Sequence, residues 1–239
     1  MITERIEKIR QNYVNAKPQI SYERALIWTE SYKKTEGQPV AIRSAKAFYD
    51  TCTKLGVHIF EGELIVGAIG EFRKCGILTP EFAWTWVDRE MDTFATREQD
   101  PYQITKEQCD FVRKNIFPYW KEKSLEEKFL TRLPKDTAKI LVDTGIIDND
   151  SKWRQAVGEI TPDYQDVLFQ KGFGGIIKEA KACRKELRLT NAEDLEKKDF
   201  YDSLILAAEG IIQYANRYAK EAERLAGIEA DKKRKKELQ

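Results

Sequence analysis

The sequence predicts a mainly α-helical protein with a short β-hairpin or strand near residues 57–67. Three observations carry this. Apolar residues recur at helical spacing, first in Ala25, Ile27, Trp28 and Tyr32 and most strongly in Leu204, Ala207, Ala208, Ile211, Ile212, Ala215 and Tyr218. Residues able to cap helix N-termini precede several of these runs, among them Thr3, Ser21, Thr105 and Ser124. Between Val57 and Val66 the period changes, and a compact apolar run surrounds Glu61-Gly62-Glu63, as in a hairpin or a strand preceded by a turn.

The elements follow in order. Thr3 caps a first helix through Val14, which ends where Pro18 restricts Lys17. Ser21 caps a second, with Glu23 in its first turn and Gly37 as its stop; Arg24 occupies the position where a capping box would need Glu or Gln. Pro39 opens a third through Ile42, Ala45, Phe48 and Tyr49, and the short loops imply an antiparallel three-helix block over residues 1–53. Residues 54–104 form a strand and loop region, with Gly67, Gly70 and Gly76 as punctuation and an aromatic-rich helix starting at Trp84, Trp86 and Val87.

Residues 105–239 form a helical region. Helices run from Lys106 to Ile116, from Ser124 with its Ser-Leu-Glu-Glu capping box, and from Pro134 to Gly145. Residues 146–162 read as an irregular connection. A long helix starts at Asp163 and continues through Arg188, interrupted by Gly172, Gly174 and Gly175, each unfavourable in a helix by about 1 kcal/mol relative to alanine. Those glycines imply a kink or a close backbone approach; a phosphate loop would need a preceding strand and a following Lys, and neither is present. The last helical pattern begins at Leu195 and runs into Ala230-Asp-Lys-Lys-Arg-Lys-Lys-Glu-Leu-Gln.

Composition narrows the function. With 41 Lys+Arg against 40 Asp+Glu the net charge is +1, so no global field draws nucleic acid or an anionic membrane. The basic run Lys232–Lys236 lacks interleaved aromatics and reads as a solvated helix end. No apolar run approaches the ~18 residues of a membrane span, and Met1–Val14 has no apolar secretory core, so the expected location is cytoplasmic. Cys52, Cys75, Cys109 and Cys183 lie too far apart for a zinc or iron–sulfur motif, and a single histidine, His58, argues against most metal sites. His58 reads as a strand residue facing solvent or a carbonyl. Arg73 and Lys74 would favour a thiolate at Cys75, which has no partner base nearby.

One ordered set of residues goes further. It consists of Glu23-Arg24-Ala25, Thr29-Glu30-Ser31-Tyr32, Glu36-Gly37 before Pro39, Arg43, Ala45-Lys46-Ala47, Gly62–Gly67 and Pro80-Glu81. This set resembles the N-terminal region of glycyl radical enzymes, the pyruvate formate-lyase-like family, in its glycerol/propanediol dehydratase and choline lyase branch. The resemblance covers nearly the whole chain but only the front part of the family's enzymes. It implies the N-terminal helical part of an α/β barrel, truncated before the catalytic loops.

The same resemblance implies radical elimination from a small diol, polyol or amino alcohol. It also implies a glycyl radical held in the full-length enzyme and installed by a radical SAM iron–sulfur activating enzyme, and a homodimer when full length. The radical-loop glycine motif and the Cys-x-Glu of the active-site loop are missing; Cys109 is followed by Asp110 and Phe111. No catalytic residue is therefore expected in this chain.

Three substrate-binding candidates remain. Glu159 falls where dehydratase-like members carry histidine and choline lyase-like members aspartate, and can accept a hydrogen bond from a substrate hydroxyl. Trp153 and Arg154 would line the same wall, Arg154 suiting an anionic group through its two-pronged guanidinium. Equally, Glu159 can be a loop carboxylate paired with Arg154 or Lys152. The competing expectation is a non-catalytic helical interaction module or a companion subunit of a radical enzyme.

Overall fold

The computed structural model describes residues 3–144, 164–188 and 190–239. They are predominantly helical, and fall into two compact units: Met1–Ile77 with Asp163–Gln239, and Leu78–Pro162.

The first unit opens with α1 (Glu4–Asn15), whose N-terminus is capped by the Thr3 hydroxyl accepting from the Ile6 amide. The chain then forms β1 (Gln19–Ser21) before α2 (Glu23–Lys34) and α3 (Val40–Lys54). Strand β1 pairs in parallel with β2 (Cys75–Ile77), Ile20 opposite Gly76. Ser21 ends a strand, so Tyr22 holds the N-cap position of α2 while the Ser21 hydroxyl accepts from the Glu23 amide at 3.4 Å.

Two expectations are corrected here. No strand forms over 57–67: the Glu63 amide donates to the Phe60 carbonyl and the Phe60 amide to the Glu63 carboxylate, closing a turn with Gly62 at φ +84°. The turn was legible; the pairing was not, because the strands used are two three-residue pieces far apart in sequence. Nor do all of the first three helices form a block: α2 packs against α3 as expected, but α1 makes no extensive contact with either. Helix α1 buries no residue, β1 separates it from α2, and α3 takes its most extensive partner from near the other end of the chain.

The second unit packs α4 (Thr85–Glu90), a 3-10 turn (Met91–Thr93), α5 (Lys106–Asn115), the single turn α6 (Phe117–Trp120), α7 (Leu125–Leu130) and α8 (Lys135–Thr144). Its core is Leu78, Val87, Met91, Phe94, Cys109, Val112, Ile116, Phe117 and Trp120. Trp84 and Trp120 act as packing anchors: Trp120 is buried, and Trp84 lies 5.3 Å from the Phe117 ring and donates its indole N–H to Glu127. Thr105 and Gln108 form a complete reciprocal capping box. The first amides of α7 are satisfied by the Glu81 and Phe82 carbonyls and by Ser124 Oγ. Arg113 clamps α5 to α4 through Asp88 and Asp92 at 2.7–2.9 Å.

The chain returns to the first unit as a π-helical turn (Tyr164–Phe169), followed by α9 (Gly172–Lys185). The kink foreseen at the glycines is located at Gly172, which takes φ +62°, while the space around Gly174 is open. The two glycines should therefore respond oppositely to alanine. Gly174→Ala should raise stability by about 0.5–1 kcal/mol through helix propensity, and Gly172→Ala should lower it by about 1 kcal/mol through left-handed strain. Urea denaturation of both variants checks the sign.

Helix α10 (Ala192–Ile228) follows, capped by Asn191, and at about 1.5 Å per residue is roughly 55 Å long. It packs along α3 and α9 through small residues, with Ala45, Ala47, Ala180 and Ala208 all buried. The last pattern does not run on unbroken. Glu229 is extended, Asp231 caps a separate α11 (Lys232–Leu238), and α11 is tied down by an Arg5–Glu237 ion pair and by Arg234 donating to the Glu63 carbonyl at 2.7 Å. The basic run is thus only partly a solvated end, since Arg234 is mostly covered.

Candidate functional site

Trp153, Arg154 and Glu159, the expected substrate wall, lie outside the described residues. The segment that carries them leads into the π-helical turn Tyr164–Phe169 and the Gly172 kink. Inserted π turns are energetically poor and recur at functional sites.

Among the described residues the cysteines do not supply a radical-bearing loop. Cys52 and Cys109 are buried on helices, and burial pushes both thiols up. Cys75 sits in β2 rather than a loop, and burial pushes its thiol up too, against the expectation from its basic neighbours. Those neighbours are otherwise occupied: Lys74 donates to the Val14 carbonyl and Arg73 to the Glu61 carbonyl. Cys183 lies on α9 and is partly exposed, so none of the four sits at the tip of a loop. Alkylation by iodoacetamide at neutral pH should leave Cys52 and Cys109 untouched until the protein unfolds, and should modify Cys75 no faster than a free thiol; mass mapping of the labelled peptides checks both.

His58 lies on the irregular segment after α3, not on a strand. A methyl at Gly56 would meet its Nε2 at 2.7 Å and the Glu23 carboxylate at 3.5 Å, so histidine and carboxylate converge over Gly56 and any side chain there would push the His58 ring aside. Glu23 is itself engaged, accepting from the Gly56 amide at 2.9 Å. Among the described residues no group of three or more His, Cys, Asp or Glu is placed to hold a metal ion. No described helix is long and apolar enough to cross a membrane.

What these residues build is a fastening between α10 and the segment after α3. Arg217 donates to the Cys52 carbonyl at 2.8 Å and to the Leu55 carbonyl at 2.5 Å, covering the C-terminus of α3. One turn away, Tyr214 donates its hydroxyl to the Ala68 carbonyl at 2.8 Å, and the buried Tyr218 hydroxyl accepts from the Ala68 amide at 2.8 Å. Burial and the Tyr218 hydroxyl hold the Tyr214 phenol well above its usual range, so the Tyr214 hydroxyl stays protonated. Sequence reasoning assigned Tyr218 to a buried apolar face. It missed the hydroxyl's role because its partner, the donating Ala68 amide, lies 150 residues away.

Comparison with known proteins places this scaffold. A profile of pyruvate formate lyase-like proteins matches residues 2–239. Isethionate sulfite-lyase of Nitratidesulfovibrio vulgaris is 33% identical over 99% of this chain and 29% of its own length. The glycerol-bound B12-independent glycerol dehydratase of Clostridium butyricum superposes with a TM-score of 0.89 at 34% identity, over 99% of this chain and 30% of that one. A glycyl radical enzyme of Archaeoglobus fulgidus superposes at 0.86 and 30% identity, over 98% and 30%. The chain thus spans under a third of the length of the proteins it matches.

Proposed function

We infer the function from one premise: this chain belongs to the pyruvate formate lyase-like family. It serves, in this reading, as the N-terminal portion of a glycyl radical lyase or dehydratase that eliminates a small group from a small hydroxylated substrate. The observation that carries the reading is the unbroken match along the chain to proteins more than three times its length.

The radical, when present, would supply hydrogen abstraction from the substrate; its glycine and its cysteine lie outside these residues. The contribution of this chain is binding. Glu159 accepts a hydrogen bond from a substrate hydroxyl, and Arg154 offers paired N–H donors to an anionic group, a chemistry that suits the hydroxysulfonate named in the N. vulgaris relative. Trp153 excludes water beside them. The assembled enzyme works in an anaerobic cytoplasm, as a homodimer, charged by a radical SAM iron–sulfur activating enzyme.

The test is electron paramagnetic resonance of the longer protein that carries this chain, activated without oxygen. A glycyl radical signal is the expected result, and its absence after activation with a competent activase sinks the reading. With the radical in place, Arg154→Lys should raise KM for an anionic substrate at least tenfold with little change in kcat. The runner-up, a non-catalytic interaction module or companion subunit, predicts a radical carried by a separate polypeptide.

A further inference from the structure

We propose that α1 is a releasable strap, clipped by ion pairs across the Phe60–Glu63 turn and α11, which lets go when those charges are screened and loosens α11 with it. The inference is independent of the functional reading, since every contact it uses lies within the first unit. Its first support is what α1 lacks. The helix buries no residue, and Ile6, Tyr13 and Val14 are all exposed. Apolar burial is the main force that holds a helix to a fold, and an isolated helix of this length is marginal in water. Glu7 accepts from Arg10 at 3.5 Å and from Gln11 at 2.7 Å, contacts that support α1 from within and attach it to nothing.

The second is what stands in for burial. Arg5 pairs with Glu237 of α11, Lys8 pairs with Glu61 of the turn at 2.6 Å, and Lys74 donates to the Val14 carbonyl at 3.1 Å. Charge thus meets α1 at its start, middle and end. The attachments are unequal. The Lys8 and Glu61 side chains are 63% and 67% exposed, and a pair so open to water contributes little. Arg5 and Glu237 are 28% and 18% exposed, so their pair is the less screened of the two and bears most of the hold.

The third is coupling. Glu237 is shared: it also accepts from Arg234 at 3.3 Å, and Arg234 donates to the Glu63 carbonyl at 2.7 Å. Arg5, Glu237, Arg234 and Glu63 therefore form one line of contacts through α1, α11 and the turn. Helix α11 depends on that line. It has seven residues, buries none of them, and carries Lys232 and Lys233 in a first turn without acidic residues. Positive charge at that end opposes the helix dipole. Two helices without buried residues are thus held by the same guanidinium–carboxylate cluster, and what weakens one hold weakens the other.

Hydrogen–deuterium exchange of the full-length protein tests the strap, in a salt series from about 10 mM to about 1 M, over which the screening length falls from roughly 30 Å to roughly 3 Å. At the high end the amides of α1 and α11 should exchange about fivefold faster or more, while those of Leu204–Tyr218 in α10 change less than about twofold. Arg5→Gln should reproduce the rise in both helices at low salt and remove the further salt response of α11. Lys197→Gln, which breaks an exposed pair with Glu193 elsewhere in the unit, should change neither helix. Salt-independent exchange in α1 and α11 would overturn the proposal. A rise shared by Leu204–Tyr218 would do the same, because it reports general loosening. So would a rise confined to α1 after Arg5→Gln, because it uncouples α11 from the strap.

Discussion

Gly210→Val should cost the first unit about 3 kcal/mol, while Gly210→Ala should fall within about 1 kcal/mol of the parent. A methyl group built on Gly210 lies 3.2 Å from the Cα of Tyr49 and 3.4 Å from the Cβ of Cys52. Alanine therefore asks the two helices to part by a few tenths of an ångström, and its advantage in helix propensity, about 1 kcal/mol, offsets that. Valine places two further methyls at the same point. The nearest neighbour is main chain in the middle of α3, which cannot rotate away as a side-chain tip can. The remaining route is to lift α10 off α3 along a seam whose small residues Ala45 and Ala208 are buried. Urea titration of the three proteins decides it: the valine variant should show a lower midpoint at unchanged slope. A valine variant as stable as the parent would mean that the seam is not closely packed.

How much of this was legible in the sequence depends on the range of the forces involved. Helix starts set by a side chain three residues from its amide were readable, and Thr3, Thr105 and Ser124 all cap as their positions imply. The closing turn at Phe60–Glu63 was readable for the same reason. Strands β1 and β2 were not: three residues show no period, and their pairing spans more than fifty positions. The break before α11 was masked because Ala222, Leu225 and Ile228 carry the apolar pattern right up to it, while the decisive event is Asp231 taking the Arg234 amide. Family likeness was visible in residues that prove structural. Arg24 lies over the Trp28 ring, Trp28 stacks on Tyr32, and Arg43 lies over Tyr32 while donating to its carbonyl. Of the candidate site, the sequence supplied Glu159 by resemblance, and Trp153 and Arg154 by their place just upstream of it. The α10 fastening was invisible, since nothing local to Tyr214, Arg217 or Tyr218 reveals an acceptor 146–165 residues away.

Arg217→Met should destabilise the first unit by about 2–4 kcal/mol, and Arg217→Lys should recover no more than about half of that. The guanidinium donates to two carbonyls at the C-terminus of α3, Cys52 and Leu55, which the helix cannot satisfy from within. It also places a positive charge at the negative end of the α3 dipole. Methionine keeps much of the stem's packing and removes both donors, so the loss reports the hydrogen bonds and the charge rather than a cavity. Lysine restores the charge, but its single ammonium cannot reproduce the fork that reaches two carbonyls three residues apart. A second readout separates this role from general damage. The positive charge of Arg217 holds the Cys52 thiol below where burial alone would put it, so the methionine variant should show a Cys52 thiol shifted further up, and lysine should not. Because Arg217 lies between Tyr214 and Tyr218, the same loss should loosen the grip on Ala68, raising amide exchange there before the rest of the unit opens. Full stability in the methionine variant would mean that the α3 terminus is satisfied by water and that α10 does not fasten it.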